Sequence, residues 1–299
     1  MPKLIFIIGP TATGKSKIAF YLAKRLNTEI VSCDSMLVYK EPSIINSKPK
    51  EYLKEIKHYF IDIISVEENY SVFEYFSSAV KLIEEILKKR QFLIVAGGSC
   101  LYIKALLDGI FEGGFKDNNL REELENKAKI FGKDYLHKEL KKVDPITAEK
   151  INDLKRIIRA LEVYYLTGKP ISEKKKEAVG LYNRFDIKIF GLTLDRKLLY
   201  DRINRRVDKM FEEGAVFEVE NLLKLNLSTT AKAMLGIKEI AGYLSGNYDI
   251  DTAKELLKKN TRHFAKRQIT WFKKDTRIFW LGIENLSLED ILNLILKNV

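Results

Sequence analysis

The chain has 299 residues, which fits one large domain or two smaller ones. Its 46% hydrophobic content excludes a disordered chain, and its formal charge of +11 favours a polyanionic partner, although lysines spread over the surface would give the same excess. Because no apolar stretch approaches about 18 residues and the two cysteines lack metal-ligand spacing, we expect no membrane contact and a cytoplasmic protein with reduced thiols.

Short apolar runs alternate with helical patterns in the first third of the chain. The periodicity predicts strands at residues 3–8, 29–33 and 91–96, and helices at residues 15–26 and 72–89. This alternation indicates a mostly parallel sheet with helices on both faces. Ligands of such sheets bind beyond the carboxyl ends of the strands, so polar residues that follow the strands are candidates for a site.

The middle of the chain is charged and helical. Helical patterns fit residues 120–131, 133–143, 148–167, 196–213, 215–223 and 253–273. Strand character returns at residues 186–193 and 277–281. We therefore predict an α/β core domain formed by residues 1–116 and 177–299, interrupted by an α-helical insertion domain at residues 117–176.

A glycine-rich segment follows the first predicted strand. Residues 9–16 read GPTATGKS and match the phosphate-loop pattern G-x-x-x-x-G-K-[ST], with a strand before it and a helix after it. Glycines let backbone amides converge on phosphate oxygens, and the helix N-terminus adds partial positive charge. Lys15 supplies a full charge, and the Ser16 hydroxyl can bind Mg²⁺. We predict that a diphosphate or triphosphate binds Gly9, Pro10, Thr11, Ala12, Thr13, Gly14, Lys15 and Ser16.

The predicted strand at residues 91–96 lacks an acid that nucleoside triphosphatases need. Such proteins place an Asp at the end of a second apolar strand to hold the metal. Here the strand runs into Gly97, Gly98 and Ser99. This weakens the prediction of an ATPase, but a small-molecule P-loop kinase that places its acid elsewhere stays an alternative.

Two further polar residues follow predicted strands. Asp34 comes after the second strand and faces the same crevice as the phosphate loop. It suits a general base, or equally the N-cap of a following helix. Ser99 follows the third strand and is expected near the loop, although a solvated turn hydroxyl is the commoner role.

Cations concentrate in three segments. Residues 155–159 and 261–274 combine Lys and Arg with apolar or aromatic side chains, and residues 195–208 include Arg196 and Arg202. Cations interleaved with aromatics suit RNA, whose bases stack and whose phosphates need neutralising. Amphipathic helices with solvated cations and surface ion pairs are the alternative, and composition alone does not decide between the two.

Taken together, these motifs resemble the bacterial tRNA dimethylallyltransferases, also called tRNA isopentenyltransferases. The matching segments, in the family's order over nearly the whole chain, are GPTATGKS at 9–16, DSMLVY at 34–39, AGGSCLYIKAL at 96–106, KRIIRALEVYYLTGKPIS at 155–172, DRINRRVDKMFEEGAVFEV at 201–219, AMLGIKEI at 233–240 and AKRQITWF at 265–272. This combination is far more specific than the phosphate loop alone.

The resemblance implies a P-loop NTPase-like fold and one reaction. The family transfers a dimethylallyl group from dimethylallyl diphosphate to N6 of adenosine 37 in tRNA, so no β–γ bond is broken and the missing acid is not needed. The implied catalytic residues are Asp34, which accepts the N6 proton, Ser99, where the family usually has Thr, and Arg202. The departing diphosphate would be stabilised by Lys15, Ser16 with Mg²⁺, Arg202 and, more weakly, Arg196.

The resemblance also implies where tRNA binds. The helical insertion would close over the anticodon stem-loop, and the adenosine would be extruded into the crevice. The loop at residues 40–49 departs from the family's usual sequence and keeps only Lys48 and Pro49, so it is assigned no contact. The implied tRNA-binding residues are Asp34, Ser35, Met36, Leu37, Ser99, Arg121, Lys155, Arg156, Ile157, Ile158, Arg159, Ala233, Met234, Leu235, Gly236, Ile237 and Lys238.

The main prediction is therefore a monomeric, cytoplasmic prenyltransferase that modifies tRNA. Besides the ATP-dependent kinase, two alternatives stay open. One is a non-catalytic RNA-binding protein that uses a nucleotide as a switch, which gives Asp34 no chemical role. The other is prenyl transfer onto free AMP, which leaves the insertion and the basic segments without a purpose.

Overall fold

The computed structural model describes residues 2–111 and 116–299. Residues 112–115, which the sequence assigns to the core domain, lie outside the described residues. The chain forms two compact units, one consisting of Met1–Leu106 with Tyr182–Val299 and the other of Leu107–Leu181. Among the described residues, no helix combines the length and the apolar character that crossing a membrane requires.

The limits of the second unit lie outside the predicted insertion at residues 117–176. Its two ends pack backbone to backbone, because a β-carbon on Gly180 would lie 2.1 Å from the Leu107 carbonyl oxygen, and one on Gly109 would lie 2.4 Å from the Val179 carbonyl carbon. Glycine at both positions allows this approach. The segments that connect to the predicted helices therefore belong to the second unit.

The first unit contains one parallel sheet. Its strands are β1 (Lys3–Ile8), β2 (Ile30–Cys33), β3 (His58–Tyr59), β4 (Phe92–Gly97), β5 (Asp186–Thr193) and β6 (Phe279–Gly282). Their spatial order is β3-β2-β4-β1-β5-β6, and every pairing is parallel. This confirms the predicted α/β class with a P-loop-like sheet. Because Ile8 lies opposite Gly97, the turns that follow β1 and β4 leave the sheet at one level, whereas β5 continues two residues beyond Gly191, the residue opposite Ile8.

The helices surround this sheet or form the second unit. They are α1 (Lys15–Leu26), α2 (Val72–Leu87), α3 (Cys100–Asp108), α4 (Asn118–Phe131), α5 (Lys133–Val143), α6 (Pro145–Ala148), α7 (Leu154–Thr167), α8 (Ile171–Lys174), α9 (Arg196–Glu212), α10 (Ala215–Leu222), α11 (Ile237–Leu244), α12 (Ile250–Phe272) and α13 (Leu288–Lys297). Helices α1, α9 and α12 bury apolar side chains in one cluster with β1 and β5. That packing brings two helices from the last third of the chain next to the turn after β1.

Several sequence predictions of elements need correction. The helix predicted at residues 148–167 is wrong at its start, because Asp153 caps a new helix by accepting a hydrogen bond from the Arg156 amide, and α6 ends before it. The sequence analysis also omitted β3, α3 and α11. β3 has only two residues, too few to show a periodicity.

The second unit has a core of its own. Buried residues from α4, α5 and α7 meet there, and half-buried residues such as Leu120 and Leu154 surround them. The buried members from these helices are Leu124, Leu136, Leu140, Ile157, Ile158, Ala160, Leu161 and Val163. Ile157 and Ile158, which the resemblance names as tRNA-binding, therefore pack inside the unit.

Candidate active site

The turn after β1 forms a phosphate loop whose backbone requires glycine. Gly9 has φ +145°, and a β-carbon there would lie 2.6 Å from the carbonyl oxygen of Leu192 on β5. Gly14 has φ +84° and is the N-cap of α1, so no side chain caps the first turn of that helix. The free amides of the first turn point out of the helix N-terminus, where an anion is favoured.

Two side chains of the loop close it on itself. The hydroxyl of Thr13 and the ammonium of Lys15 both donate to the Pro10 carbonyl oxygen, at 2.9 Å and 2.6 Å. Burial lowers the pKa of Lys15 to about 8; the carboxylate of Asp34 opposes this shift, and the charge of Arg206 adds to it. Lys15 therefore lies close to one acid, Asp34, and to a second cation, Arg206. The two cations together favour the binding of an anion at this position.

Arg206 of α9 is a site residue that the sequence analysis did not select. Its Nη1 donates to the Thr11 hydroxyl at 3.1 Å, and burial lowers its pKa against the opposing effect of Asp34. Arg202, one turn earlier on the same helix, is exposed, and Arg196 is exposed with its guanidinium over the Tyr200 ring at 5.2 Å. The structure therefore brings Arg206 to the phosphate loop, while the two predicted arginines lie toward solvent.

Gln268 of α12 also reaches the loop and was not predicted. Its Oε1 accepts from the Thr11 amide at 3.0 Å, and its Nε2 donates to the Gly98 carbonyl oxygen at 2.8 Å. In the sequence, Gln268 lies inside the basic and aromatic segment at residues 261–274. That segment was interpreted through its cations and aromatic residues, so the neutral amide of Gln268 was not considered. Its spacing from Ala265 on the buried face of α12 was the available signal.

Asp34 and Ser99 lie at neighbouring strand ends. A β-carbon on Gly97 would lie 2.0 Å from the Cys33 carbonyl oxygen, so β2 and β4 are in close contact where they end. The same oxygen accepts the Ser99 amide at 3.1 Å. Asp34 Oδ1 accepts from the Met36 amide at 2.9 Å, and turns rather than a helix follow it, which removes the helix-cap interpretation.

The segment at residues 34–49 continues from Asp34 and is held by distant side chains. The carboxylate of Glu218 on α10 accepts from the backbone amides of Ser43, Ile44 and Ile45 at 2.7–3.1 Å. Lys48 is 5% exposed, pairs with Asp62, and donates to the Lys40 carbonyl oxygen at 2.9 Å. Lys48, which survives in the divergent loop, therefore has an internal bonding role.

The other predicted tRNA-binding residues of the first unit lie around the start of α11. Ala233 and Lys238 are exposed and Leu235 is half-buried, whereas Met234 and Ile237 belong to the apolar core. Gly236 has φ +103° and precedes the helix. Only part of this predicted stretch can therefore present side chains to a ligand.

In the second unit, the predicted tRNA-binding cations fall into two groups. Lys155 and Arg156 are exposed at the start of α7. Arg121 and Arg159 both bind Glu162, a fully buried carboxylate, at distances of 2.6–2.8 Å. Burial opposes ionisation of Glu162, but the hydrogen bonds from these arginines and from the Asp117 amide hold its pKa below the usual range.

The fold and the site together define an α/β protein with a P-loop-like fold, in which an acid follows β2, one strand beyond the neighbour of β1. The loop contains one cation, Lys15, and α9 brings a second, Arg206, to it, while β4 ends in glycine instead of a metal-binding carboxylate. Residues 37–275 match the family model described as IPP transferase. The chain belongs to this family of transferases and is an enzyme.

Known proteins with similar sequences and structures agree with this assignment. A tRNA dimethylallyltransferase of Acetivibrio thermocellus is 47% identical over 97% of this chain and 95% of its own length. The crystal structure of a full-length tRNA isopentenylpyrophosphate transferase from Bacillus halodurans is 37% identical, with a TM-score of 0.72 over 99% of this chain and 96% of its own. A eukaryotic dimethylallyltransferase acting on tRNA is 28% identical, with a TM-score of 0.82 over 100% of this chain and 80% of its own. The kinase alternative is not favoured.

Proposed function

We propose that the chain transfers a dimethylallyl group from dimethylallyl diphosphate to N6 of adenosine 37 in tRNA and releases diphosphate. The observation that carries this proposal is that Asp34, which follows β2, lies close enough to act electrostatically on both Lys15 and Arg206, while the adjacent strand β4 ends without an acid. An acid next to a diphosphate cradle suits deprotonation of a nucleophile. The membership of the IPP transferase family supports the same reaction.

The proposed chemistry is a displacement at C1 of the prenyl group. The bond between C1 and the diphosphate oxygen breaks as the bond from adenosine N6 to C1 forms, and the N6 proton passes to the carboxylate of Asp34. Negative charge develops on the leaving diphosphate, where Lys15, Arg206 and the amides at the start of α1 can stabilise it. The Ser99 hydroxyl, at the adjacent strand end, is proposed to orient the base or the diphosphate.

Magnesium is proposed as the cofactor. Ser16 lies exposed in the first turn of α1, so its hydroxyl oxygen is accessible beside the expected position of the diphosphate. Mg²⁺ is commonly coordinated by one or two protein oxygens together with phosphate oxygens and water. A single hydroxyl ligand from Ser16 is consistent with this coordination. When bound, Mg²⁺ would supply positive charge to the leaving diphosphate. Ser16 is the residue proposed to hold it.

tRNA recognition is proposed to use the predicted residues that remain accessible. These include Lys155 and Arg156 in the second unit and Ala233 and Lys238 in the first. The side chains of Arg121 and Arg159 are about one-third exposed, and both guanidinium groups bind Glu162. Glu162 therefore fixes the two arginines in a defined arrangement at the surface. We propose that these residues receive the anticodon stem-loop, and that the enzyme acts as a cytoplasmic monomer.

Mass spectrometry tests the reaction, with free nucleosides used to identify the product and ribonuclease fragments of the tRNA used to locate it. Unmodified tRNA is incubated with the protein, Mg²⁺ and dimethylallyl diphosphate, and parallel samples contain AMP in place of tRNA. The proposal predicts N6-dimethylallyl adenosine at position 37 of the tRNA and no product from AMP. Product from AMP alone would reassign the enzyme to free nucleotides, and no prenylated product in either sample would contradict the proposal.

A further inference from the structure

We propose that Gln268 is a positioning residue that holds the phosphate loop and the Ser99 turn in one fixed arrangement. The proposal deepens the function proposed above and rests on it. Gln268 lies far along the chain from both segments and is 3% exposed. Its carboxamide uses Oε1 for the Thr11 amide and Nε2 for the Gly98 carbonyl oxygen, at 3.0 Å and 2.8 Å.

The two contacts span the two halves of the proposed reaction centre. Thr11 belongs to the loop that is proposed to bind the prenyl diphosphate, and Gly98 directly precedes Ser99, which is proposed to orient the reacting groups. A single rigid amide plane therefore sets the separation between donor loop and Ser99. Misplacement of reacting groups by about 1 Å can lower a rate by about 10²-fold, so such a bridge has catalytic consequences.

Through Thr11, Gln268 is also connected to Arg206, one of the two cations proposed to stabilise the diphosphate. The backbone amide of Thr11 is taken by Gln268, while its hydroxyl accepts from Arg206 at 3.1 Å. With both groups of Thr11 engaged, the residue has one orientation. Gln268 is thus connected to Arg206 on one side of the loop and to the Ser99 turn on the other.

Gly98 is shaped to receive this amide. A β-carbon at Gly98 would lie 2.5 Å from Nε2 of Gln268 and 3.2 Å from the Gly9 carbonyl oxygen. Any larger residue would displace the carboxamide or the end of β1. Glycine at position 98 is therefore required for the hydrogen bond from Gln268, in addition to any requirement of the turn after β4.

Glutamine is the side chain that meets both demands. One end must accept from an amide N–H and the other must donate to a carbonyl, at this length and without charge. Glutamate would keep the acceptor but lose the donor, and methionine would keep the volume but lose both. These differences supply the test variants.

The experiment compares Gln268→Met with wild type and with Thr261→Val. Thr261 is a matched control, because it is also buried on α12 and its hydroxyl bonds only within that helix, to the Leu257 carbonyl oxygen. Three quantities are measured: affinity for inorganic diphosphate by calorimetry, kcat for prenyl transfer to tRNA, and Tm. We expect Gln268→Met to weaken diphosphate binding about tenfold and to lower kcat by about 10²-fold, while Thr261→Val changes only Tm.

A double-mutant cycle with Ser99→Ala separates positioning from a merely structural role. If Gln268 acts by placing Ser99, the loss of kcat in the double variant will be much smaller than the product of the two single losses. Where Gln268→Met fails to fold, Gln268→Glu is measured in the same cycle, since it keeps the acceptor for Thr11. Multiplicative losses, or a kcat and a diphosphate affinity within twofold of wild type, would overturn the proposal. If wild type transfers no prenyl group, the function proposed above fails, and the diphosphate affinities still decide whether Gln268 orders the loop.

Discussion

The phosphate loop at residues 9–16 and the segment at residues 34–49 both begin where a parallel strand ends, but they obtain their internal shape in different ways. Gln268 and Arg206 fix the position of the phosphate loop through Thr11. The phosphate loop holds its shape through its own glycines and through the bonds of Thr13 and Lys15 to the Pro10 carbonyl oxygen. The segment at 34–49 depends on side chains from elsewhere, chiefly Glu218 and Asp62. The internal shape of the proposed donor loop is thus locally encoded, whereas the shape of the proposed acceptor segment depends on contacts with the rest of the fold.

This difference explains how the two regions vary. A locally encoded loop needs particular residues at the specified positions of its motif, so the motif can be recognised from sequence. The segment at 34–49 is anchored through backbone amides and one buried lysine, so most of its side chains can change without loss of the anchors. These anchors are compatible with the departure of residues 40–49 from the family's usual sequence.

Replacing Asp34 by Asn will lower kcat for prenyl transfer by about 10³-fold, because the amide cannot accept the N6 proton. The affinity for tRNA will stay close to that of wild type, since the side chain keeps its size and its oxygen for the Met36 amide. Single-turnover kinetics and a tRNA-binding titration measure the two quantities. Glu212→Gln, an exposed carboxylate at the end of α9, serves as the control; equal turnover in the Asp34 variant and this control would remove Asp34 as the base.

Replacing Arg206 by Gln will lower kcat/KM for dimethylallyl diphosphate by about 10²-fold, as expected when one preorganised donor to a developing anion is lost. Arg202→Gln on the exposed neighbouring turn is the matched comparison and will have a smaller effect. Steady-state kinetics with the prenyl donor varied will rank the two. The reverse order would return the catalytic assignment to Arg202, as the family resemblance implies.

Replacing Glu218 by Ala will leave three backbone amides of the segment at 34–49 without their acceptor. We expect a loss of about 2 kcal/mol in the free energy of unfolding, the range for hydrogen bonds to a charged group. Urea denaturation measures it, with the exposed Glu220→Ala on the same helix as the control. The KM for tRNA should rise while diphosphate affinity is unchanged. A weakened diphosphate affinity would show that the two regions are not stabilised separately.

The pKa of Lys15, lowered to about 8, predicts a pH dependence of donor binding. Binding an anion favours the ammonium form, so affinity is at full strength below pH 8 and falls above it, by about tenfold per pH unit until the raised pKa of the complex is reached. Calorimetry with dimethylallyl diphosphate between about pH 7 and about pH 9, one unit either side of that pKa, tests this. Lys15→Arg keeps its charge throughout, so its profile should lack this slope. Parallel profiles would contradict the prediction.

Sequence reasoning reached the fold class and the elements that carry the strongest local signals. The loop was predictable because four positions of its motif are specified and a strand and a helix flank it. The strand ends indicated Asp34 and Ser99. Arg206 was not selected because α9 offers several arginines, and only packing against the sheet decides which faces the loop. Gln268 was missed for the same reason, since its role depends on two backbone groups that are distant in sequence.

The most direct test of the account asks which ligand the phosphate loop serves. The protein is incubated with tRNA, Mg²⁺, dimethylallyl diphosphate labelled in its prenyl group, and ATP labelled in its γ-phosphate. The account predicts that the prenyl label appears on adenosine N6 in the tRNA while the γ-phosphate stays on ATP. Transfer or release of the γ-phosphate, with the prenyl label left on its diphosphate, would contradict it.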